Sequence, residues 1–176
     1  MNTMKKQEPV SRLYVIGVLV ANISGVLSRV SGMFTRRGFN IDSLTVGETE
    51  SSGFSRITIA FHGDEDIKER IIRQLDKLHD VREVEVMEQN ETVTRELLLI
   101  KVRNTAEYRQ DIMSAVEIFR SKIVDYTASA VICELTGETS KIDAFIDLMK
   151  PFEILEMCRT GIVALERGEN CLKTVR

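Results

Sequence analysis

The chain has 176 residues, enough for one ordinary domain or two small ones. Apolar residues make up 43% and charged residues 29%, a balance that suits a packed core with a charged surface and excludes disordered and membrane-spanning classes. The net charge of −3 provides no general attraction to nucleic-acid phosphates or anionic lipid.

The first candidate element is the apolar run Leu13–Val20, which reads as a buried strand. Lys5 and Lys6 before it imitate a signal peptide, but Glu8 and Pro9 interrupt the basic stretch and no small-residue cleavage site follows, so export is not expected. After the polar loop Asn22-Ile23-Ser24-Gly25, the residues Val26, Leu27, Val30, Met33 and Phe34 recur at helical spacing and predict a helix over 26–37 with those side chains inward. Gly38 suits the end of that helix. A strand over 41–48, a turn at Ser51-Ser52-Gly53 and an alternating strand follow. In the last of these, Ile57, Ile59 and Phe61 share a face opposite Arg56, Thr58 and Ala60. Asp64, Glu65 and Asp66 open a second helix striped by Ile67, Ile71, Ile72, Leu75 and Leu78, and a fourth strand covers 81–87.

The polar stretch 88–94 reads as a linker, after which the plan repeats. A strand over 97–102 precedes a helix faced by Ile112, Ala115, Val116 and Phe119, then paired strands over 123–126 and 130–135. Ser140-Lys141-Ile142-Asp143 resembles a capping box opening a helix that Pro151 stops. A last extended region, 154–165, is bent near Gly161. Each half is thus β-α-β-β-α-β, which predicts an α+β protein of two ferredoxin-like domains, each an antiparallel sheet with two helices on one face. Exposed sheet edges and small halves favour association with another protomer.

The chemistry inventory is thin. There is no P-loop, no dinucleotide fingerprint and no nucleophile elbow. His62 and His79 have no Cys or His at chelating distance along the chain and read as surface residues. Cys133, Cys158 and Cys171 form neither a disulfide framework nor a zinc pattern, which suits a reducing compartment; Cys133 and Cys158, in apolar runs, are expected in the core. Asp64–Asp66 and the pair Arg36-Arg37 sit where helix dipoles favour their charges. These absences point to a ligand-binding or regulatory protein.

The loop before the first helix is the exception. A glycine there lets a ligand approach the backbone, and the first-turn N–H groups lack partners inside the helix, so a carboxylate could be seated at its positive end. The competing expectation is an ordinary polar cap made by Asn22 or Ser24. Asn40, at the start of the second strand, could be folded back toward the same region.

Residues Asn22-Ile23-Ser24-Gly25-Val26-Leu27-Ser28-Arg29-Val30 and Arg37-Gly38-Phe39-Asn40-Ile41-Asp42-Ser43-Leu44-Thr45-Val46 resemble the ACT domain of the acetohydroxyacid (acetolactate) synthase small subunit. Arg95-Glu96-Leu97, residues 119–125, residues 141–146 and Arg159-Thr160-Gly161 through Gly168 resemble its C-terminal pattern. The resemblance implies a tail over 1–11, an ACT domain over 12–88, a linker over 89–94, a C-terminal ferredoxin-like domain over 95–168 and a tail over 169–176. It also implies a non-catalytic cytoplasmic subunit in valine, leucine and isoleucine biosynthesis. Such a subunit activates a catalytic large subunit that carries thiamine diphosphate, Mg and, as a further candidate, FAD, none of them held by this chain.

Family members pair through their N-terminal domains and take valine or another branched-chain amino acid between them. Carried over, the effector-binding residues are Asn22, Ser24, Gly25, Val26, Leu27, Asn40 and Ile41. The loop departs from the family pattern at Ala21, where relatives carry an acid, and at Ile23, where they carry a polar residue. Two other readings share the topology. One is a free-standing amino-acid sensor for another enzyme. The other is an RNA-binding module using the strand Gly53–Phe61, which needs Phe61 on an open sheet face.

Overall fold

The computed structural model describes residues 11–172; the basic stretch around Lys5 and Lys6 lies outside them. They divide into two compact units, residues 11–92 with 165–172, and residues 93–164.

In the first unit the apolar run becomes a central strand, β1 (Arg12–Ala21). It is followed by α1 (Val26–Arg37), β2 (Ser43–Glu48), β3 (Phe54–Gly63), α2 (Glu65–Leu75) and β4 (Val81–Val86). The strands form an antiparallel sheet in the order β2-β3-β1-β4, with β2 at an edge. Because side chains alternate along a strand, Ile16, Val18 and Val20 of β1 and Ile57, Ile59 and Phe61 of β3 all point to one face. Val26, Val30, Met33 and Phe34 of α1 and Ile71 and Leu75 of α2 close over that face. Each such side chain contributes about 1.5–3 kcal/mol by leaving water. Phe61 is fully buried in this core, which removes the aromatic that an RNA-binding sheet would need.

Both helices end as their residues direct. Gly38, at φ 70°, closes α1, donating to Thr35 O while Phe39 donates to Phe34 O. The Asp64 carboxylate caps α2 by accepting from the Ile67 backbone N–H at 2.8 Å. The other face of the sheet is also covered in part. A Cβ on Gly17 would lie 2.7 Å from Met87 Cε and 3.1 Å from Leu172 Cδ1, so glycine is what lets those side chains lie across β1, on the face where Leu19 and Thr58 are buried.

The second unit repeats the plan with β5 (Thr92–Arg103), α3 (Arg109–Phe119), β6 (Lys122–Tyr126), β7 (Ala130–Gly137), α4 (Thr139–Met149) and β8 (Ile154–Arg159), in the order β6-β7-β5-β8. A further strand, β9 (Val163–Glu166), also pairs with β5, and Gly161 at φ 79° makes the bend between β8 and β9. Its core joins Leu98, Ile100 and Val102 to Ile112, Val116, Ile142 and Phe145. The Glu96 side chain, only 4% exposed, accepts from Arg159 Nη2 at 2.7 Å and from the Thr139 hydroxyl, while Arg159 also reaches Asp143. The Glu96 and Arg159 motifs therefore tie β5, β8 and α4 together.

Several expectations are corrected. β2 begins at Ser43, so Asn40 and Ile41 lie in the connector before it. Leu27 is 41% exposed rather than inward; it borders the buried stripe in the first turn of α1. β5 starts at Thr92, inside the polar stretch read as a linker. Ser140 caps nothing, since α4 already starts at Thr139 and has Glu138 at its cap position. Cys158 is exposed, because β8 is an edge strand covered on one side only; Cys133, on interior β7, is buried.

Candidate functional site

Strand β1 ends at Ala21, whose N–H donates to Asp80 O at 2.8 Å. The chain then turns sharply into α1. Asn22 ties the turn to the β2–β3 hairpin, its backbone N–H donating to Gly53 O at 2.9 Å and its Nδ2 to Ser52 O at 3.0 Å. Ile23 N–H donates back to Ala21 O, and Val26 N–H makes a long 3.3 Å bond to Ile23 O.

The polar cap that Asn22 or Ser24 would supply is not formed. Gly25 itself is the cap residue, at φ 83° and ψ −3°, with no side-chain hydrogen bond to the helix. Among the described residues, the backbone N–H groups of Gly25, Leu27 and Ser28 make no hydrogen bond. Gly25, Leu27 and Ser28 are exposed, so these donors stand at the surface at the positive end of a three-turn helix.

A cation adds to that field. Arg29, one turn into α1, donates from Nε to Asp80 Oδ2 at 2.5 Å, which holds its guanidinium beside the loop. A Cβ at Gly25 would come within 3.1 Å of Arg29 Nη1. Glycine thus serves twice here, by taking the left-handed conformation and by leaving the space in front of the guanidinium open. An anion placed there meets backbone donors and a guanidinium together. Arg29 carries no cue of its own in the sequence except its position four residues after the glycine.

Asn40 and Ile41 are elsewhere in the same chain. Ala21 is paired with Phe54 at one end of β3, whereas Ser43 is paired with Ala60 near the other. The 12 residues of α1 separate the two regions by about 18 Å at 1.5 Å per residue. A single amino acid cannot reach from one to the other, so the structure does not fold Asn40 back onto the loop of its own chain. Ile41 is half-buried against the core. Asn40 is exposed, and its Nδ2 donates to Asp42 Oδ1 at 3.1 Å.

Asp42 is fixed from two further directions. Its N–H donates to Ala60 O at 2.9 Å, and its Oδ2 lies 2.7 Å from Nδ1 of His62. In the sequence His62 reads as a surface histidine; the pairing of β2 with β3 brings it to Asp42. Exposed apolar side chains stand in the loop, on α1 and on the edge strand: Ile23 at 50%, Leu27 at 41% and Val46 at 41% exposure.

Residues 16–83 match the family model for the AHAS small subunit-like ACT domain, and residues 95–168 match that for the small subunit of acetolactate synthase. The chain belongs to the acetolactate synthase small-subunit family. Over 90% of its length it is 46% identical to a protein named a probable acetolactate synthase small subunit from Methanothermobacter thermautotrophicus, covering 95% of that relative. With the acetolactate synthase small subunit of Bacillus subtilis it shares 44% identity over 88% of its own length and 90% of the relative's. The crystal structure of the acetolactate synthase small subunit from Thermotoga maritima superposes with a TM-score of 0.84 at 43% identity, covering 90% of this chain and 99% of that one. Both halves of this small-subunit chain thus fall within one family, and the loop at Gly25 lies in its ACT domain.

Proposed function

We propose that this chain is the non-catalytic regulatory subunit of an acetolactate synthase, working in the cytoplasm. It activates the catalytic large subunit and makes it sensitive to feedback inhibition by valine or another branched-chain amino acid. Thiamine diphosphate, Mg and FAD belong to the catalytic partner in this reading. The effector lies between the N-terminal domains of two copies, with its carboxylate at the Gly25–Leu27 amides of one copy and its amino group toward Asn40 and Ile41 of the other.

The observation that carries the reading is the uncapped, exposed head of α1 with Arg29 beside it. Residues at the two ends of one helix can meet a single small ligand only if a second helix runs antiparallel to the first. A two-fold axis between two copies produces that arrangement, because the same patch then faces itself. The exposed Ile23, Leu27 and Val46 and the edge strand β2 give such an interface apolar surface and a strand to pair.

Both asparagines fit an amino group. One N–H of each Nδ2 is already donating, to Ser52 O and to Asp42, which turns the amide so that the carbonyl oxygen, an acceptor, is left available. The family match of residues 95–168 favours this subunit over a free-standing sensor for another enzyme.

Inhibition by linkage requires valine to bind the inhibited form of the complex more tightly than the active one, by about 1–3 kcal/mol. A carboxylate at a helix head supplies about 0.3–2 kcal/mol depending on burial, so apolar contacts with the valine side chain and the amino-group bonds must supply the remainder. The test is reconstitution with the large subunit. The wild-type complex is inhibited by valine, whereas Gly25→Asp places its own carboxylate before Arg29 and abolishes inhibition while activation persists. Undiminished valine inhibition of the Gly25→Asp complex contradicts the assignment.

A further inference from the structure

We propose that Asp42, braced by His62, is a positioning residue that makes the Asn40 site selective for the amino group of the effector; the inference rests on the functional reading above. An asparagine side chain offers two faces, an N–H donor pair and a carbonyl acceptor, and rotation about its last bond exchanges them. Only the acceptor face can receive an ammonium group. Asn40, being exposed, has no packing to choose the face for it.

Asp42 makes that choice. An ionised carboxylate only accepts, so the atom of Asn40 that lies 3.1 Å from Asp42 Oδ1 is the amide nitrogen. The carbonyl oxygen of Asn40 is thereby left to face a ligand. The second oxygen of Asp42 lies 2.7 Å from His62 Nδ1, which by the same argument carries the proton in that bond. The backbone of Asp42 is held as well, by its N–H bond to Ala60 O at 2.9 Å. His62 belongs to β3 and Asp42 to the connector before β2, so the rigid sheet sets the carboxylate and the carboxylate sets the amide. Removing Asp42 frees Asn40 to present either face, and it also removes a negative charge from the side of the site where the ammonium group is bound.

The experiment is calorimetric titration of the full chain with two probes: valine, and 3-methylbutanoate, which keeps the carboxylate and the branched side chain but lacks the amino group. The wild-type chain binds valine more tightly than 3-methylbutanoate. In Asp42→Ala the affinity for valine falls by about tenfold or more, the loss of charge-assisted hydrogen bonding, while the affinity for 3-methylbutanoate stays within about twofold. Asp42→Glu recovers part of the loss, and His62→Phe weakens valine binding in the same selective way. Equal weakening of both probes in Asp42→Ala means a merely structural role and overturns the inference, as does unchanged valine affinity in that variant. Failure of the wild-type chain to bind valine at all removes the underlying reading, and the inference with it. The three negative results are therefore distinguishable.

Discussion

Gly25 concentrates the account in one residue. Any L side chain at φ 83° carries the left-handed strain of about 1–2 kcal/mol, and its Cβ would press on Arg29 Nη1. Gly25→Asp is therefore a moderately destabilised but folded variant whose own carboxylate fills the seat. The cysteines separate just as sharply. Burial pushes the Cys133 thiol up to about 11, whereas Cys158 and Cys171 are exposed. A thiol reagent at neutral pH is expected to label Cys158 and Cys171 quickly in the native chain and Cys133 only after unfolding; mass spectrometry of the labelled chain checks it. The place of Gly25 at the head of α1 was legible in the sequence because it stands between an apolar strand and an amphipathic helix. The exposure of Cys158 was not, because an apolar neighbourhood says nothing about whether the strand is interior or at an edge. Nor was the Asp42–His62 pair, since no local spacing links a residue of β3 to one in the connector before β2.

Among the elements, α1 and α2 stand where their 3.6-residue stripes put them, because burying one face is what stabilises a short helix. Two of the misplaced boundaries fall in polar stretches. Thr92–Glu96 pairs as strand without an apolar alternation to announce it, and Glu138, not Ser140, stands at the head of α4, where the Thr139 hydroxyl donates to Glu96.

That pairing gives a stability prediction. Arg159→Ala leaves the buried Glu96 carboxylate with Thr139 as its remaining partner and is expected to cost about 3 kcal/mol, toward the lower end for a broken buried pair. Urea unfolding of the variant measures it. At the start of α2, hydrogen bonds from Lys68 and then Tyr14 and Arg12 hold the Glu65 carboxyl down to about 2 from an ordinary 4.5. A carboxyl depressed in the folded state favours folding once it is ionised. This contribution is complete above about pH 4.5 and disappears as pH falls toward about 2. In Glu65→Gln it is missing throughout, so the gap between wild-type and variant urea midpoints is constant near neutrality and closes in acid.

At the scale of the whole molecule, the repeated β-α-β-β-α-β plan was readable because both halves carry the same order of strand and helix periods. The distance between Gly25 and Asn40 was not, since they are only 15 positions apart in sequence yet stand at opposite ends of α1. A helix of that length converts a sequence neighbourhood into a separation of about 18 Å, which under the proposed function a second copy closes. The most direct measurement of this claim mixes two crippled chains. Gly25→Asp and Asn40→Ala each spoil both sites of their own dimer, but a dimer of one with the other has one site with an intact Gly25 and an intact Asn40. After exchange of subunits, valine titration of an equal mixture is predicted to recover about a quarter of the wild-type sites, the share expected from random pairing. A mixture that exchanges subunits yet binds no more valine than either variant alone contradicts a site shared between two chains.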